Sequence, residues 1–536
     1  MPPVVLLSSI ALYLCAVIGA GWWISRRAQG SADFFRGGRK SPWWAVAVAM
    51  VSTSISGITF VSVPGMVAAS QWSYLQMAVG FVAGYAVIAY VLLPLYYRLN
   101  LNSLYIYLED RFGRWSHRTG AGFFLLSKLL LCGVRMYLTA IVLQLIVFDP
   151  LGIPMWVNVA ATMLCVWLYT FRGGVRSLVW TDMFQTLALL TVVVLCLVQI
   201  GRVMGLDFGA MAGSIRDSGM TRIWFFDDWK DTRLFWKQFA AGALTTVAMT
   251  GMDQDMMQKN LSCKTLRESQ RNMMSYGAAF IPVNRLFLAL GVLLYQFAAE
   301  RGISVAKPDD LFPTIACGTD AAGAAYMPPV VSLLFALGIT ASAFSSSGSA
   351  LTALTTTFTV DFLHADTRLD EAGLRRTRRR VHACAAVVMG LVILGFEAIR
   401  DGSVINAIYT VAGYTYGPLL GLFFFGILTR RRVRDGWVPL ICALSPVICY
   451  VLSTHSAAWF GGYQIGFELL LYNALLTWLG LWLSSLGENR FSRQNAAPGP
   501  QSSNVVQALQ DQLQGFISEA RCNIAQFLYL CRKLNV

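Results

Sequence analysis

Ser342, Ser345, Ser346 and Ser349 stand at i, i+3, i+4 and i+7 in an otherwise apolar stretch, so a helix here would carry their hydroxyls along one face. Such a ladder can glue helices together or bond back to its own backbone. It can also offer hard, neutral oxygen ligands to a cation. A second segment, AVAVAMVSTSISGITFVSVPG at 45–65, favours the cation: β-branched and hydroxyl residues crowd around Ile55-Ser56-Gly57, and a Pro64-Gly65 pair follows. This is a poor continuous helix and a good candidate for an unwound one, whose loosened carbonyls become available as ligands. Unwound backbone beside a hydroxyl face makes an all-oxygen, nearly neutral site that suits sodium. Calcium or magnesium would ask for more carboxylates than these segments hold. Many secondary transporters bind substrate and coupling ion at discontinuous helices near the bilayer midplane.

Charged groups inside apolar segments are expensive and are candidates for function by default. Arg135, in LLLCGVRMYLTAIVLQ, carries a guanidinium whose fork matches a carboxylate, or which could bond backbone carbonyls in a structural role. Lys128, seven residues earlier, reads as a side chain snorkelling to the membrane interface. Asp182 lies in GGVRSLVWTDMFQ, where a helix-packing hydrogen bond and an ion-binding role are both open.

The elements that must position these residues are membrane helices. The chain has 536 residues, of which only 13% are charged, and a mean hydropathy of +0.56. Apolar runs of about twenty residues, the length needed to cross a bilayer, recur along it. The pattern predicts an all-α polytopic membrane protein of thirteen spans, at about 3–25, 42–69, 73–97, 120–147, 153–171, 178–201, 236–256, 273–299, 327–361, 382–399, 404–428, 437–454 and 465–486. The first is read as a retained span, since no basic n-region precedes it. Alternate gaps carry the basic clusters, among them RGGRK at 36–40, RRTRRR at 375–380 and RRRVR at 430–434. The positive-inside rule then puts the N-terminus outside and the C-terminus in the cytoplasm. The net charge of +14 is accordingly a topology signal, and no nucleic-acid partner is expected. Eleven scattered cysteines suggest neither disulfides nor zinc. There is no GxxxxGK[ST], HExxH or GxSxG, so neither an ATP motor nor a hydrolase is expected, and the chain is not read as an enzyme. Residues 1–486 form the membrane domain, 487–504 a polar linker, and 505–536 an amphipathic helix with apolar residues at three- and four-residue steps.

The stretch SADFFRGGRKSPWWAVAVAMVSTSISGITFVSVPG, then GGVRSLVWTDMFQ, GMDQDMMQKNL at 251–261 and SAFSSSGSALTALTTTFTVDF at 342–362, resembles the sodium/solute symporter family of sodium-coupled sugar, proline, pantothenate, iodide and sialic-acid carriers. The resemblance covers roughly residues 1 to 486, in order. It implies a leucine-transporter-like core of two inverted five-helix repeats, at about 42–201 and 236–428. It also implies a sodium site made by backbone carbonyls of Ser52, Ile55 and Ser342 and by the hydroxyls of Ser345 and Ser346. In some members the acid at Asp182 and serines of the later helix, here Ser345 and Ser349, hold a second sodium. One of those serines is replaced here by Gly348, so one Na⁺ is the expected stoichiometry. In sialic-acid carriers an arginine in the region of Arg135 meets the substrate carboxylate, and Ser54, Ser56 and Thr59 match hydroxyl positions near the substrate. Asp253 and Asp255 fall in the family's DQD segment, where gating or helix capping is expected.

The function these features imply is sodium-coupled uptake of a small organic acid such as sialic acid across the cell (inner) membrane. A neutral sugar, polyol or amino acid is the alternative cargo. An ion channel or a solute-binding membrane sensor is the alternative class.

Overall fold

With no water inside a bilayer, each backbone N–H and C=O must be paired within its own segment, and the chain answers with helices. The computed structural model describes residues 3–25, 34–35, 37–99, 103–171, 174–320, 323–397, 404–463 and 465–486. The linker at 487–504 and the amphipathic helix at 505–536 lie outside the described residues, as does part of the 26–40 basic segment.

Fifteen elements carry the account. They are α1 (Pro3–Ser25), α2 (Trp43–Ser54), α3 (Gly57–Gly65), α4 (Tyr74–Leu99), α5 (Arg114–Leu143), α6 (Met155–Thr170), α7 (Gly174–Val203) and α8 (Phe235–Thr246). They continue with α9 (Gln254–Asn260), α10 (Leu266–Arg301), α11 (Pro329–Thr357), α12 (Glu371–Glu397), α13 (Val404–Leu428), α14 (Val438–Trp459) and α15 (Leu469–Leu486). Among the described residues ten helices are long and apolar enough to cross a membrane, and α2 with α3, bent by 61° at their junction, make an eleventh span. The remaining two of the thirteen expected spans are helical but fall short of that length. One is α6; the other is α8, which runs through a π turn at Val247–Gly251 and breaks before α9.

Two spans are therefore interrupted, and their breaks are finished differently. At the first, Ile55 N–H makes the last bond of α2 to Val51 O, and Ser56 has extended backbone before Phe60 N–H returns to Ser56 O. Intrahelical donors for the carbonyls of Ser52 to Ile55 run out there. At the second, the Gly251 and Met252 carbonyls accept from the hydroxyls of Tyr96 and Tyr105, both at 2.9 Å. Asp253 caps α9 by accepting from Asp255 N–H at 2.9 Å.

The first interrupted span is held between α5, α7, α10 and α11, whereas in the second α8 packs chiefly on α4 and α9 on α11 and α2. From Gly338 to Thr357 every residue of α11 is buried, so its hydroxyls face protein on all sides rather than lipid. By contrast α1, α12 and α14 lie at the periphery and show broad apolar faces, Leu12, Val387, Leu391 and Tyr450 among them.

Candidate functional site

The site is built on the first break. The carbonyl-rich end of α2 and the start of α3 abut α11 and α5: a Cβ at Gly57 would approach Thr139 Oγ1 to 2.5 Å and Ser342 Oγ to 3.8 Å. Glycine is required there because α5 closes over the kink. Ser52 and Ser345 are fully buried, and neither hydroxyl has a hydrogen-bond partner. A buried hydroxyl without a partner costs stability, so each marks a place where a further group is wanted; Ser52 belongs to the stretch of loosened carbonyls, and Ser345 lies beside Asp182. Ser346 Oγ donates back to Ser342 O at 3.0 Å and Ser342 Oγ to Ile339 O at 2.9 Å, leaving their lone pairs open. All five of the residues expected at a sodium site are buried, and Ser342 lies against the kink at Gly57.

Ser346 also lines a cavity between the two breaks, together with Ser54, Ser56, Thr59 and Arg135. All four residues expected near a substrate therefore meet in one space. Arg135 is part-buried there, and its Nε is buried without a hydrogen-bond partner. The Ser54 hydroxyl is engaged with that of Tyr276, which accepts from Tyr85 at 2.9 Å. The opposite walls come from residues the sequence did not single out: Thr245, Thr246 and Thr250 of α8 and its π turn, and the aromatic rings of Tyr74, Phe81 and Tyr409.

Lys128 does not reach the interface. It is 8% exposed, and its ammonium lies 2.7 Å from Asp255 and 3.1 Å from Asp253, with Tyr416 donating to Asp253 at 2.6 Å. Snorkelling fails because two buried carboxylates on the capped end of α9 attract the cation more strongly than the distant interface. The capping role read for Asp253 is realised. Tyr416→Phe removes one charge-assisted bond from this cluster, an expected loss of about 1.5–3 kcal/mol in unfolding free energy. It should appear as a lowered melting temperature in detergent, with no change in the size of the particle.

Asp182 is fully buried, accepts from Ser349 Oγ at 3.1 Å, and has Ser345 nearby without completing a hydrogen bond. A residue not considered from the sequence joins it: Lys259 of α9 places Nζ 2.5 Å from Asp182 Oδ2 and also on Thr53 and Ser349. The signal was present, since a lysine inside the quoted GMDQDMMQKNL segment is an ionisable group in an apolar span. Gly348, one residue before Ser349, faces the Tyr169 hydroxyl so closely that any Cβ would overlap it, and that hydroxyl donates to Phe344 O at 2.6 Å. Gly348→Ser is expected to cost about 1–3 kcal/mol through overpacking, read as a lower melting temperature; Tyr169→Phe/Gly348→Ser should recover part of it.

Two interrupted helices meeting across a buried polar cavity are an arrangement that many secondary transporters share, and the overall fold is leucine-transporter-like. The solved structures agree. One of a Na⁺-coupled sialic acid symporter, in a substrate-bound outward-open state, superposes with a TM-score of 0.76 at 22% identity, covering 92% of this chain and 99% of that one. A closed form of Mhp1, a nucleobase-cation-symport-1 family transporter, gives 0.52 at 14% identity, covering 88% and 98%. The model of the sodium:solute symporter family matches residues 34–438, and the chain belongs to that family. Relatives include a sodium/sialic acid symporter of Aliivibrio fischeri, 25% identical over 88% of this chain and 92% of its own length. A sodium/sialic acid symporter of Proteus mirabilis is 26% identical over 78% and 84%. The human sodium/iodide cotransporter is 25% identical over 78% and 64%. The chain is a multi-pass membrane protein of a sodium-coupled transporter family.

Proposed function

We propose that this protein is a sodium symporter whose cargo is a small organic carboxylate, with sialic acid as the leading candidate. The observation that carries the reading is Arg135: a guanidinium with a buried, unpartnered Nε beside Ser54, Ser56 and Thr59 in the central cavity. A carboxylate would complete the fork, and the hydroxyls would meet a polyhydroxylated body. The names of the two sialic-acid relatives support the same class.

Sodium would sit at the carbonyls of Ser52, Ile55 and Ser342 and the hydroxyls of Ser345 and Ser346. Binding there ties α2 to α11, so the ion favours one arrangement of the kinked span and raises affinity for solute in that arrangement. The repeats would run over about 42–201 and 236–428. The basic gaps support a topology with the N-terminus outside the cell and the C-terminus in the cytoplasm.

A neutral sugar is favoured by one feature, the aromatic wall of Tyr74, Phe81 and Tyr409, against which a sugar ring can pack. Uptake into proteoliposomes separates the readings. Sialic acid should accumulate under an inward sodium gradient and not when choline replaces sodium. Equal uptake in choline would remove the symport mechanism, and accumulation of a neutral sugar with no response to sialic acid would remove the carboxylate.

A further inference from the structure

We propose that Lys259 is a built-in cation: its ammonium fills a second oxygen cage, so that the transporter carries one sodium ion per solute. The inference rests on the symport reading above and extends it to stoichiometry.

The cage joins four elements. Thr53 comes from α2, Asp182 from α7, Lys259 from α9 and Ser349 from α11, and each of these residues is no more than 3% exposed. An ammonium has three donors. Here it has three oxygen partners, Asp182 Oδ2, Thr53 Oγ1 and Ser349 Oγ. The hydroxyl protons are directed elsewhere, as this requires: Thr53 donates to Ala49 O at 3.1 Å and Ser349 to Asp182 Oδ2 at 3.1 Å. Lone pairs of both hydroxyls therefore point at Nζ. These are the same hard oxygens, one carboxylate and two hydroxyls, that would suit a bare alkali cation.

Charge decides which cation stays. Asp182 and Lys259 together are neutral, so a sodium ion entering the cage would leave an uncompensated positive charge in a dry interior, beside an ammonium it must displace. The other carboxylate oxygen, Asp182 Oδ1, has no hydrogen-bond partner, so the ammonium is the main partner of that group. Gly348 works in the same direction, because the Tyr169 hydroxyl occupies the space a side chain there would need. The kink carbonyls and the hydroxyls of Ser345 and Ser346 carry no charge of their own and are left for the mobile ion, with Ser345, beside Asp182, bordering both places.

The test is the ratio of radioactive sodium to solute taken up by proteoliposomes, measured on the full chain. Wild type should give a ratio of one and hyperbolic sodium activation. With a monoanionic acid as cargo the cycle is then electroneutral, and an imposed inside-negative potential should leave accumulation unchanged. In Lys259→Ala the cage is vacated with Asp182 still charged. A second sodium should enter, giving a ratio of two, a Hill coefficient approaching about two, and about 50-fold more accumulation of the acid per 100 mV. A ratio of two in wild type overturns the proposal, as does a ratio of one with hyperbolic activation in Lys259→Ala. If that variant does not fold, Lys259→Ala/Asp182→Asn, which deletes both charges, should keep a ratio of one and near wild-type sodium affinity. Loss of sodium coupling in the double variant would show that the pair handles the mobile ion, and would also overturn the proposal. Should the cargo prove neutral, the wild-type ratio of one still stands as the expectation, and only the carboxylate reading falls.

Discussion

Arg135→Ala is expected to weaken binding of an acidic cargo by roughly 30- to 5,000-fold, the range that corresponds to about 2–5 kcal/mol for truncating one partner of a buried, hydrogen-bonded charge pair. The guanidinium is part-buried and its Nε has no partner within the protein, so no internal group would compensate for its loss. Arg135→Lys keeps the charge but not the planar fork, and should recover only part of the affinity. A thermal-shift titration with sialic acid in sodium measures all three. Normal affinity for the acid in Arg135→Ala would show that the arginine is a structural group and that the cargo is recognised without its charge.

The second large effect is at the kink. Ser345→Ala should raise the sodium concentration for half-maximal uptake about tenfold, equivalent to about 1.4 kcal/mol for one lost ligand. It should do so without lowering the melting temperature of the sodium-free protein. The two outcomes separate a ligand from a packing residue: Ser345 Oγ is buried and unpartnered, so its removal takes away a desolvation cost and breaks no internal bond. Ser346→Ala should also weaken sodium activation, but with some loss of stability, because its hydroxyl bonds back to Ser342 O. If Ser345→Ala kept normal sodium activation, the cation would have to sit elsewhere.

Both expectations depend on partners that are distant in sequence, and the same distinction runs through the whole protein. Hydropathy and the spacing of basic loops were enough to read thirteen apolar segments, and the helical stack of Ser342, Ser345, Ser346 and Ser349 could be read because its partners lie within two turns. The break at Ile55–Ser56 was readable for a similar local reason, a crowd of β-branched and hydroxyl residues around a glycine. What only the tertiary structure decided is where each buried charge is neutralised. Lys128 is a snorkelling side chain by its local sequence and becomes a partner of Asp253 and Asp255 once α5 packs beside the second break. Lys259 meets Asp182 across 77 residues of chain. Helical periodicity determines which face a residue occupies on its own helix. It carries no information on which distant helix will meet that face, and in a low-dielectric interior that meeting determines what a charge can do.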